Sequence, residues 1–171
     1  GYETSGAWGA AMARDRGQVY AMVGDGSYLM LNSDVFASVL SGTKFILVVC
    51  DNEGYAVIER LQVNQGGASY NNMLADANGP GTGERVDFAA HAAALGALSV
   101  QVTSLAEFRE ALDMARSAAR TTVIVSKVRA DDWTESGAFW QVGVPEASQR
   151  AEVTVARAAL DAGLAAQRRA T

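Results

Sequence analysis

The sequence predicts an α/β fold in which a parallel sheet is flanked by helices on both faces. Short apolar runs, such as residues 19–23 and 45–50, alternate with longer segments whose apolar residues recur at helical spacing. These longer segments can supply the crossover helices that parallel strands require. A chain of 171 residues, 49% of them hydrophobic and 19% charged, is also long and apolar enough to bury a full core.

The predicted elements alternate along the chain and are interrupted by one long irregular segment. Helices are expected at residues 5–14, 28–41, 55–61, 88–95, 104–119 and 151–167. Strands are expected at residues 19–23, 45–50, 97–102 and 122–128. Residues 62–85 hold too many glycines and asparagines, together with Pro80, for a long regular element. We interpret that segment as a flap that orders over a ligand, with disorder or packing against a partner as the alternative.

The first crossover brings two polar turns to the same level of the predicted sheet. The strand at 19–23 runs into a glycine-permitted turn that contains Asp25, and the strand at 45–50 runs into Asn52. A helix of about 14 residues carries the chain roughly 21 Å in one direction. About seven extended residues bring it back roughly 23 Å. Asn52 is therefore expected beside Asp25, at the carboxyl ends of two parallel strands, where open α/β sheets bind ligands.

The residues at this edge suit a hard cation that carries phosphate groups. Asp25 offers a carboxylate, Asn52 an amide oxygen, and a backbone carbonyl just beyond Asn52 a third oxygen. Magnesium fits this set best. Gly26 lets backbone approach closely, and Ser27 is expected at the amino end of the following helix, where free N–H groups favour negative charge. A lone Gly-Asp-Gly is usually only a turn; the matching return to Asn52 favours a binding site.

The spacing of these residues resembles a known cofactor motif. Gly24-Asp25-Gly26, followed after twenty-five intervening residues by Asn52, resembles the motif with which thiamine-diphosphate-dependent enzymes hold magnesium and the cofactor's diphosphate. The surrounding sequence resembles the carboxyl-terminal part of the 3D-(3,5/4)-trihydroxycyclohexane-1,2-dione hydrolase family of myo-inositol breakdown. The stretches that carry this closer resemblance are residues 23–33, 85–89, 94–97 and 120–125.

This resemblance implies a cofactor, a reaction and a set of binding residues. The cofactors would be thiamine diphosphate and Mg²⁺, and the reaction the hydrolytic cleavage of a carbon–carbon bond in a cyclic polyol-dione. The first residues of the helix after Asn52 face the diphosphate in this family. The implied cofactor-binding residues are Gly24, Asp25, Gly26, Ser27, Asn52, Gly54, Tyr55 and Ala56, and the implied metal ligands are Asp25, Asn52 and Gly54.

The resemblance also implies a partner domain. In these enzymes a glutamate on a separate pyrimidine-binding domain activates the cofactor, usually across a subunit interface. Nothing in this sequence matches that domain, and Glu3, Glu53 and Glu59 stand in the wrong context to replace the glutamate. No catalytic residue is therefore assigned to the chain, and we expect the chain alone to be inactive and the complete enzyme to be a homodimer or homotetramer. Because the sequence opens without Met at what should be an internal helix, a fragment, a processed piece or one part of a split enzyme is expected.

Two other functions remain compatible with the cofactor motif. One is an acetolactate-synthase-like lyase or decarboxylase of the same superfamily. The other is a non-catalytic structural subunit that binds magnesium and a diphosphate.

Composition and single residues narrow the class of protein further. A net charge of −5 gives no basic footprint for nucleic acid. No apolar run reaches membrane-spanning length and no secretory signal precedes the domain, so a cytoplasmic protein without membrane contact is expected. The only cysteine, Cys50, lies in a strand pattern that favours a buried core thiol over a reactive one. The only histidine, His91, lies in an Ala-rich helix and is expected to pack or face solvent rather than act in catalysis.

The tail differs in character from the rest of the chain. We divide the chain into an α/β domain at residues 1–128 and a tail at 129–171, whose terminal helix is expected to pack on the same domain. Trp133, Phe139 and Trp140 are expected to dock the tail against the sheet or another subunit, with a substrate-pocket wall as the alternative. The closing Arg168 and Arg169 fit a helix carboxyl end.

Overall fold

A parallel sheet forms the centre of the structure. The computed structural model describes residues 1–132 and 143–167, and within them the sheet has four strands in the order β1-β2-β4-β3, all parallel. The strands are β1 (Tyr20–Gly24), β2 (Ile46–Asp51), β3 (Leu98–Val102) and β4 (Thr122–Lys127). The predicted α/β class and parallel sheet are confirmed, and the four strands lie within a few residues of their predicted positions.

Helices cover both faces of this sheet, as predicted. They are α1 (Tyr2–Met12), α2 (Asp25–Met30), α3 (Ser33–Ser41), α4 (Ala56–Asn64), α5 (Phe88–Ala94), α6 (Leu105–Ser117) and α7 (Ala151–Ala166). Leu47 and Val49 of β2 join one buried cluster with residues of α1, α2, α3 and α5, whereas Ile46 joins another with α6. The chain crosses the sheet one way from β2 to β3 and returns the other way from β3 to β4. Right-handed crossovers therefore place α5 and α6 on opposite faces.

The helix predicted at residues 28–41 is wrong in two respects. The structure has two helices there, since α2 ends at Met30 and α3 begins at Ser33. Leu31 leaves the helical region with φ −139° and ψ 41°, and the Asn32 side chain donates to the Leu29 carbonyl at 3.0 Å, a local bond that competes with helix continuation. The first helix also begins earlier than predicted, at Asp25, because Gly24 is extended and serves as its N-cap.

The remaining helix ends shift by a few residues. The helix predicted at residues 5–14 spans Tyr2–Met12, and α7 ends at Ala166. At the start of α6, Glu107 N–H donates to Ser104 Oγ at 3.2 Å, and the Glu107 carboxylate accepts from Thr103 N–H at 2.7 Å. These two bonds cap the amino end of α6.

The segment predicted as a flap is attached to the loop of Gly54 through Met73. After α4 ends at Asn64, the chain forms a 3₁₀ turn at Leu74–Asp76 and an isolated antiparallel bridge between Met73 and Gly54. The lack of a long regular element agrees with the prediction, and closure over a ligand stays a prediction. Among the described residues, no helix is long and apolar enough to cross a membrane.

The tail is described only in part. Its helix α7 begins against Gly66, where an added Cβ would lie 2.4 Å from the backbone of Glu152 and Val153. The predicted docking of Trp133, Phe139 and Trp140 and the assignment of Arg168 and Arg169 fall outside the described residues. The division at residue 128 stays a prediction.

Candidate functional site

The carboxyl ends of β1 and β2 bring the two predicted turns together. In the parallel register of these strands Gly24 lies opposite Cys50, so the residues that follow each strand begin at the same level. Asp25 starts α2, and Asn52 and Gly54 lie in the loop before α4. The structure therefore places the three predicted metal-binding residues side by side.

Asp25 is a buried carboxylate held by the backbone of the facing loop. Its side chain is only 3% exposed, Gly54 N–H donates to Oδ2 at 2.9 Å, and Asn52 N–H points at Oδ1 from 3.4 Å. Burial raises the pKa of the Asp25 carboxyl, although the N–H groups of Gly54 and Asn52 act in the opposite direction. The net direction is upward, because the effect of burial is the largest of these contributions.

Three oxygen-bearing groups converge beside this carboxylate. One of the two amide atoms of Asn52 lies 3.0 Å from Asp25 Oδ1 and 2.7 Å from the Gly54 carbonyl oxygen. If that atom is nitrogen, it donates to both oxygens; if it is oxygen, three oxygens meet at a point that suits a hard cation. The residues present fit Mg²⁺, with coordination positions left for phosphate oxygens and water.

The described residues offer no metal site of another kind. Within residues 1–132 and 143–167, no group of three or more His, Cys, Asp or Glu side chains could hold a metal ion. A site for zinc or another softer metal would require such a group. The convergent oxygens of Asp25, Asn52 and Gly54 are therefore the strongest metal candidate in this part of the chain.

Beside these oxygens, the start of α2 offers backbone N–H groups to an anion. Because α2 begins at Asp25, Ser27 is the third residue of the helix and lies in its first turn, at the amino end as predicted. N–H groups in the first turn of a helix have no partner within it, so the first turn of α2 remains available to a diphosphate. An added Cβ on Gly26 would lie 2.5 Å from Tyr55 Cε1, which shows that the Tyr55 ring packs directly on Gly26. A side chain at residue 26 would therefore displace that ring.

A cavity of about 360 Å³ opens over these groups. Seven of the eight predicted cofactor-binding residues line it, and Asp25 lies buried behind them: the seven are Gly24, Gly26, Ser27, Asn52, Gly54, Tyr55 and Ala56. The rest of the wall is mostly apolar and was not predicted; it consists of Glu3, Met22, Val23, Met30, Val57 and Ile58.

The unpredicted wall residues differ in how visible they are in the sequence. Met30 follows Gly26 by four residues and shares its helix face, so a correct helix start at Asp25 would have indicated it. Met22 lies on β1, the edge strand of the sheet, and is 64% exposed. Glu3 reaches the cavity from α1 through packing that no local pattern records.

His91 and Cys50 lie next to the site without forming part of the cavity. Tyr28, which is fully buried in α2, shares a hydrogen bond of 2.9 Å between its hydroxyl and His91 Nδ1, so His91 packs as expected. Burial raises the pKa of Tyr28 to about 12, which keeps the phenol protonated. Cys50 is half-buried rather than fully buried, and burial together with the charge of Asp25 raises the pKa of its thiol. An elevated pKa disfavours a reactive thiolate, in agreement with the sequence-based expectation.

Sequence comparison finds relatives across most of the chain. The profile of the family described as thiamine pyrophosphate enzyme, C-terminal TPP binding domain, matches residues 1–126. The 3D-(3,5/4)-trihydroxycyclohexane-1,2-dione hydrolase of Bacillus thuringiensis (strain Al Hakam) is 38% identical over an alignment of 162 residues, which covers 91% of this chain and 25% of that protein. The hydrolase of the same name from Bacillus cereus (strain 03BB102) matches with the same figures. The chain thus spans about a quarter of the length of these relatives.

Solved structures share the fold. A thiamine-diphosphate-dependent 4-hydroxybenzoylformate decarboxylase of Rhodococcus jostii RHA1 superposes with a TM-score of 0.62 at 20% identity. A benzoylformate decarboxylase of Polynucleobacter necessarius gives the same TM-score at 26% identity. Each match covers 75% of this chain and 23% of the other chain.

Proposed function

The chain belongs to the thiamine pyrophosphate enzyme family, as its C-terminal TPP-binding domain, and we propose that it anchors the diphosphate and Mg²⁺ in a hydrolase that cleaves a carbon–carbon bond of a cyclic 1,2-dione. The observation that carries the proposal is the convergence of the Asp25 carboxylate, the Asn52 amide and the Gly54 carbonyl beside a cavity at the start of α2. A buried carboxylate without a cationic partner among the described residues is otherwise a costly feature.

Each part of the site has a distinct task in this proposal. Asp25, Asn52 and the Gly54 carbonyl hold Mg²⁺, and the first turn of α2, with Gly26 and Ser27, faces the diphosphate. Tyr55, whose ring rests on Gly26, covers the cavity from the α4 side and must shift if a phosphate approaches that backbone. Thiamine diphosphate, when bound, supplies the carbanion stabilisation that cleavage of a carbon–carbon bond needs.

Catalysis requires a second domain in this proposal. The activating glutamate comes from a pyrimidine-binding domain, in the same chain of a longer protein or in a partner, and the complete enzyme is a homodimer or homotetramer. Exposed Met22, Met30 and Val57 on the cavity wall give that domain an apolar surface to cover. This chain alone binds and orients but does not turn over substrate.

The substrate assignment rests on the similarity to the hydrolase relatives. Identity of 38% over 162 residues to trihydroxycyclohexane-1,2-dione hydrolases supports a polyhydroxylated cyclic dione of myo-inositol breakdown. The runner-up is an acetolactate-synthase-like lyase or decarboxylase, since the metal and diphosphate site is shared by both. The non-catalytic alternative is a structural subunit that binds Mg²⁺ and a diphosphate.

Calorimetry tests the anchoring function. Thiamine diphosphate and Mg²⁺ are titrated into the complete enzyme that contains this chain, into its Asp25→Ala variant, and into Asp113→Ala, which removes an exposed carboxylate paired only with Arg116 among the described residues. Wild type and Asp113→Ala should bind alike, and Asp25→Ala should lose Mg²⁺-dependent binding. Binding that survives in Asp25→Ala would contradict the site, and preference of the enzyme for pyruvate over the dione would contradict the substrate.

A further inference from the structure

The loop that carries Gly54 is fastened to the flap by backbone hydrogen bonds on both sides. Tyr55 N–H donates to the Asn72 carbonyl at 2.7 Å, and Leu74 N–H donates to the Glu53 carbonyl at 2.9 Å. Between these bonds Gly54 pairs with Met73 in an antiparallel bridge. The direction of the Gly54 carbonyl is therefore set by the flap as well as by the loop's own sequence.

The backbone of this loop is one that few sequences adopt unaided. Glu53 has φ +61° and Gly54 has φ +148°, and both values lie in regions that non-glycine residues rarely occupy. An added Cβ on Gly54 would lie 2.5 Å from the Asn72 carbonyl oxygen and 2.8 Å from Met73 Cα, so the two backbones are in direct contact. Such a conformation persists only where surrounding contacts impose it.

The side chain of Asn72 fixes the flap to α4 at the same point. Its Nδ2 donates to Glu59 Oε2 at 2.9 Å and to Gln62 Oε1 at 3.1 Å, both on the first two turns of α4. The hydrogen bond from Asn72 is the main cause of a lowered pKa at Glu59, with Ser69 contributing second. One residue thus joins the flap, the loop of Gly54 and the helix that follows this loop.

We propose that Asn72 is a positioning residue for the metal site, which latches the flap to α4 and thereby holds the Gly54 carbonyl towards the cation. The inference rests on the proposed function, since it presupposes that Gly54 is a metal ligand. It adds that the flap contributes to metal affinity before any substrate is bound. Outer-sphere residues that orient metal ligands commonly change affinity when they are removed.

The chain offers a matched set of variants for this latch. Asn72→Ala removes the bonds to Glu59 and Gln62. Asn72→Asp places a carboxylate against Glu59, and the double variant Asn72→Asp with Glu59→Gln restores a hydrogen bond with its donor and acceptor exchanged. Asn78→Ala is the control, because Asn78 lies exposed in the same flap and makes no side-chain hydrogen bond to the described residues.

Two measurements separate positioning from general stability. Mg²⁺ is titrated by calorimetry into the complete enzyme with thiamine diphosphate present, and amide exchange is followed at Tyr55 and Leu74. Asn72→Ala should weaken Mg²⁺ binding about 10-fold and speed exchange at both amides. Asn72→Asp should bind Mg²⁺ no more tightly than Asn72→Ala does. Addition of Glu59→Gln to Asn72→Asp should restore most of the Mg²⁺ affinity. Asn78→Ala should match wild type in both Mg²⁺ binding and amide exchange.

The outcomes distinguish this inference from the proposed function. If wild type binds Mg²⁺ and Asn72→Ala binds it equally well, the latch does not position the metal ligand and the inference is overturned. Failure of Glu59→Gln to rescue Asn72→Asp overturns it as well. If wild type itself binds no Mg²⁺, the proposed function fails and the inference fails with it.

Discussion

Gly54 is the position where a single methyl group should do the most damage to the site. In Gly54→Ala the added Cβ would lie 2.5 Å from the Asn72 carbonyl oxygen, and no rotamer change can relieve this overlap because that oxygen belongs to the backbone. The native φ of +148° is also strained for alanine, by about 1–3 kcal/mol. The overlap can be relieved only if the flap separates from the loop.

The free-energy cost follows from what that separation breaks. Two backbone hydrogen bonds, Tyr55 to Asn72 and Leu74 to Glu53, are lost, and each contributes about 1 kcal/mol. The free energy of unfolding should therefore fall by about 2 kcal/mol, or by about 3 kcal/mol if part of the φ strain is retained. Mg²⁺ binding should weaken as well, since the carbonyl of residue 54 loses its support.

Urea unfolding followed by circular dichroism measures the stability, and calorimetry measures Mg²⁺ binding. Gly81→Ala is the control in the same flap, because among the described residues nothing lies within 4 Å of its added Cβ. Its stability should stay within about 0.5 kcal/mol of wild type. If Gly54→Ala were as stable as Gly81→Ala and bound Mg²⁺ normally, the contact between loop and flap would have no energetic weight and the reasoning would be refuted.

Three further changes test other parts of the structure. Because burial raises the pKa of Asp25, the folded protein binds the proton of this carboxyl more tightly than the unfolded protein does, and the metal-free protein should lose stability as pH rises through that pKa. Asp25→Asn should remove this loss in urea unfolding measured from pH 4 to 7. An unchanged pH dependence in the variant would contradict its assignment to Asp25. Tyr28→Phe leaves His91 Nδ1 without its partner and should cost about 1–2 kcal/mol in the same assay, whereas Tyr70→Phe at an exposed site should cost nothing measurable. Gly66 has φ +83° and lies against the backbone of α7, so Gly66→Ala should detach that helix. Proteolysis of α7 should then become faster while the sheet stays intact. If α7 in the variant resisted proteolysis as well as in wild type, the contact would be without effect.

The sequence indicated the sheet edge and the polar turns because those features are local. Apolar runs of strand length and a glycine turn before Asp25 are readable within a few residues, and strand and helix lengths alone bring Asn52 back to the same level. The break between α2 and α3 at Leu31 was not predicted, because apolar residues continue at helical spacing on both sides of it. Periodicity records which face is buried, and a single residue outside the helical region can leave that face unchanged.

The contacts that shape the site depend on pairings distant in sequence. The bridge between Gly54 and Met73 leaves no trace in local composition, since a breaker-rich segment reads as a loop whether or not it is fastened. Glu3 reaches the cavity only because α1 packs beside α2, and the Tyr55 ring meets Gly26 only because the parallel register sets their levels. Sequence patterns therefore predicted which residues lie together at the site. They did not predict the contacts that position those residues.

The helix α4 is held by its ends and by polar latches rather than by a core. None of its side chains is buried against the described residues, in contrast to α6, which buries Ala111 and Ala115. Its amino end meets Gly26 through the Tyr55 ring, and Gly66, just beyond its carboxyl end, meets α7. Helices without buried apolar contacts open at low free-energy cost, so amides of α4 should exchange with solvent faster than those of α6.

Ligand binding should change that difference in one direction. Mg²⁺ and diphosphate would fix the Gly54 carbonyl and the start of α4, so protection should rise along α4 and stay constant in α6. Hydrogen exchange followed by mass spectrometry, with and without thiamine diphosphate and Mg²⁺, resolves the two helices. Equal protection of α4 and α6 in the unliganded protein would show that α4 has support beyond the contacts at its ends. Unchanged exchange in α4 on saturation would show that the metal loop and this helix move independently, against a latch through Asn72.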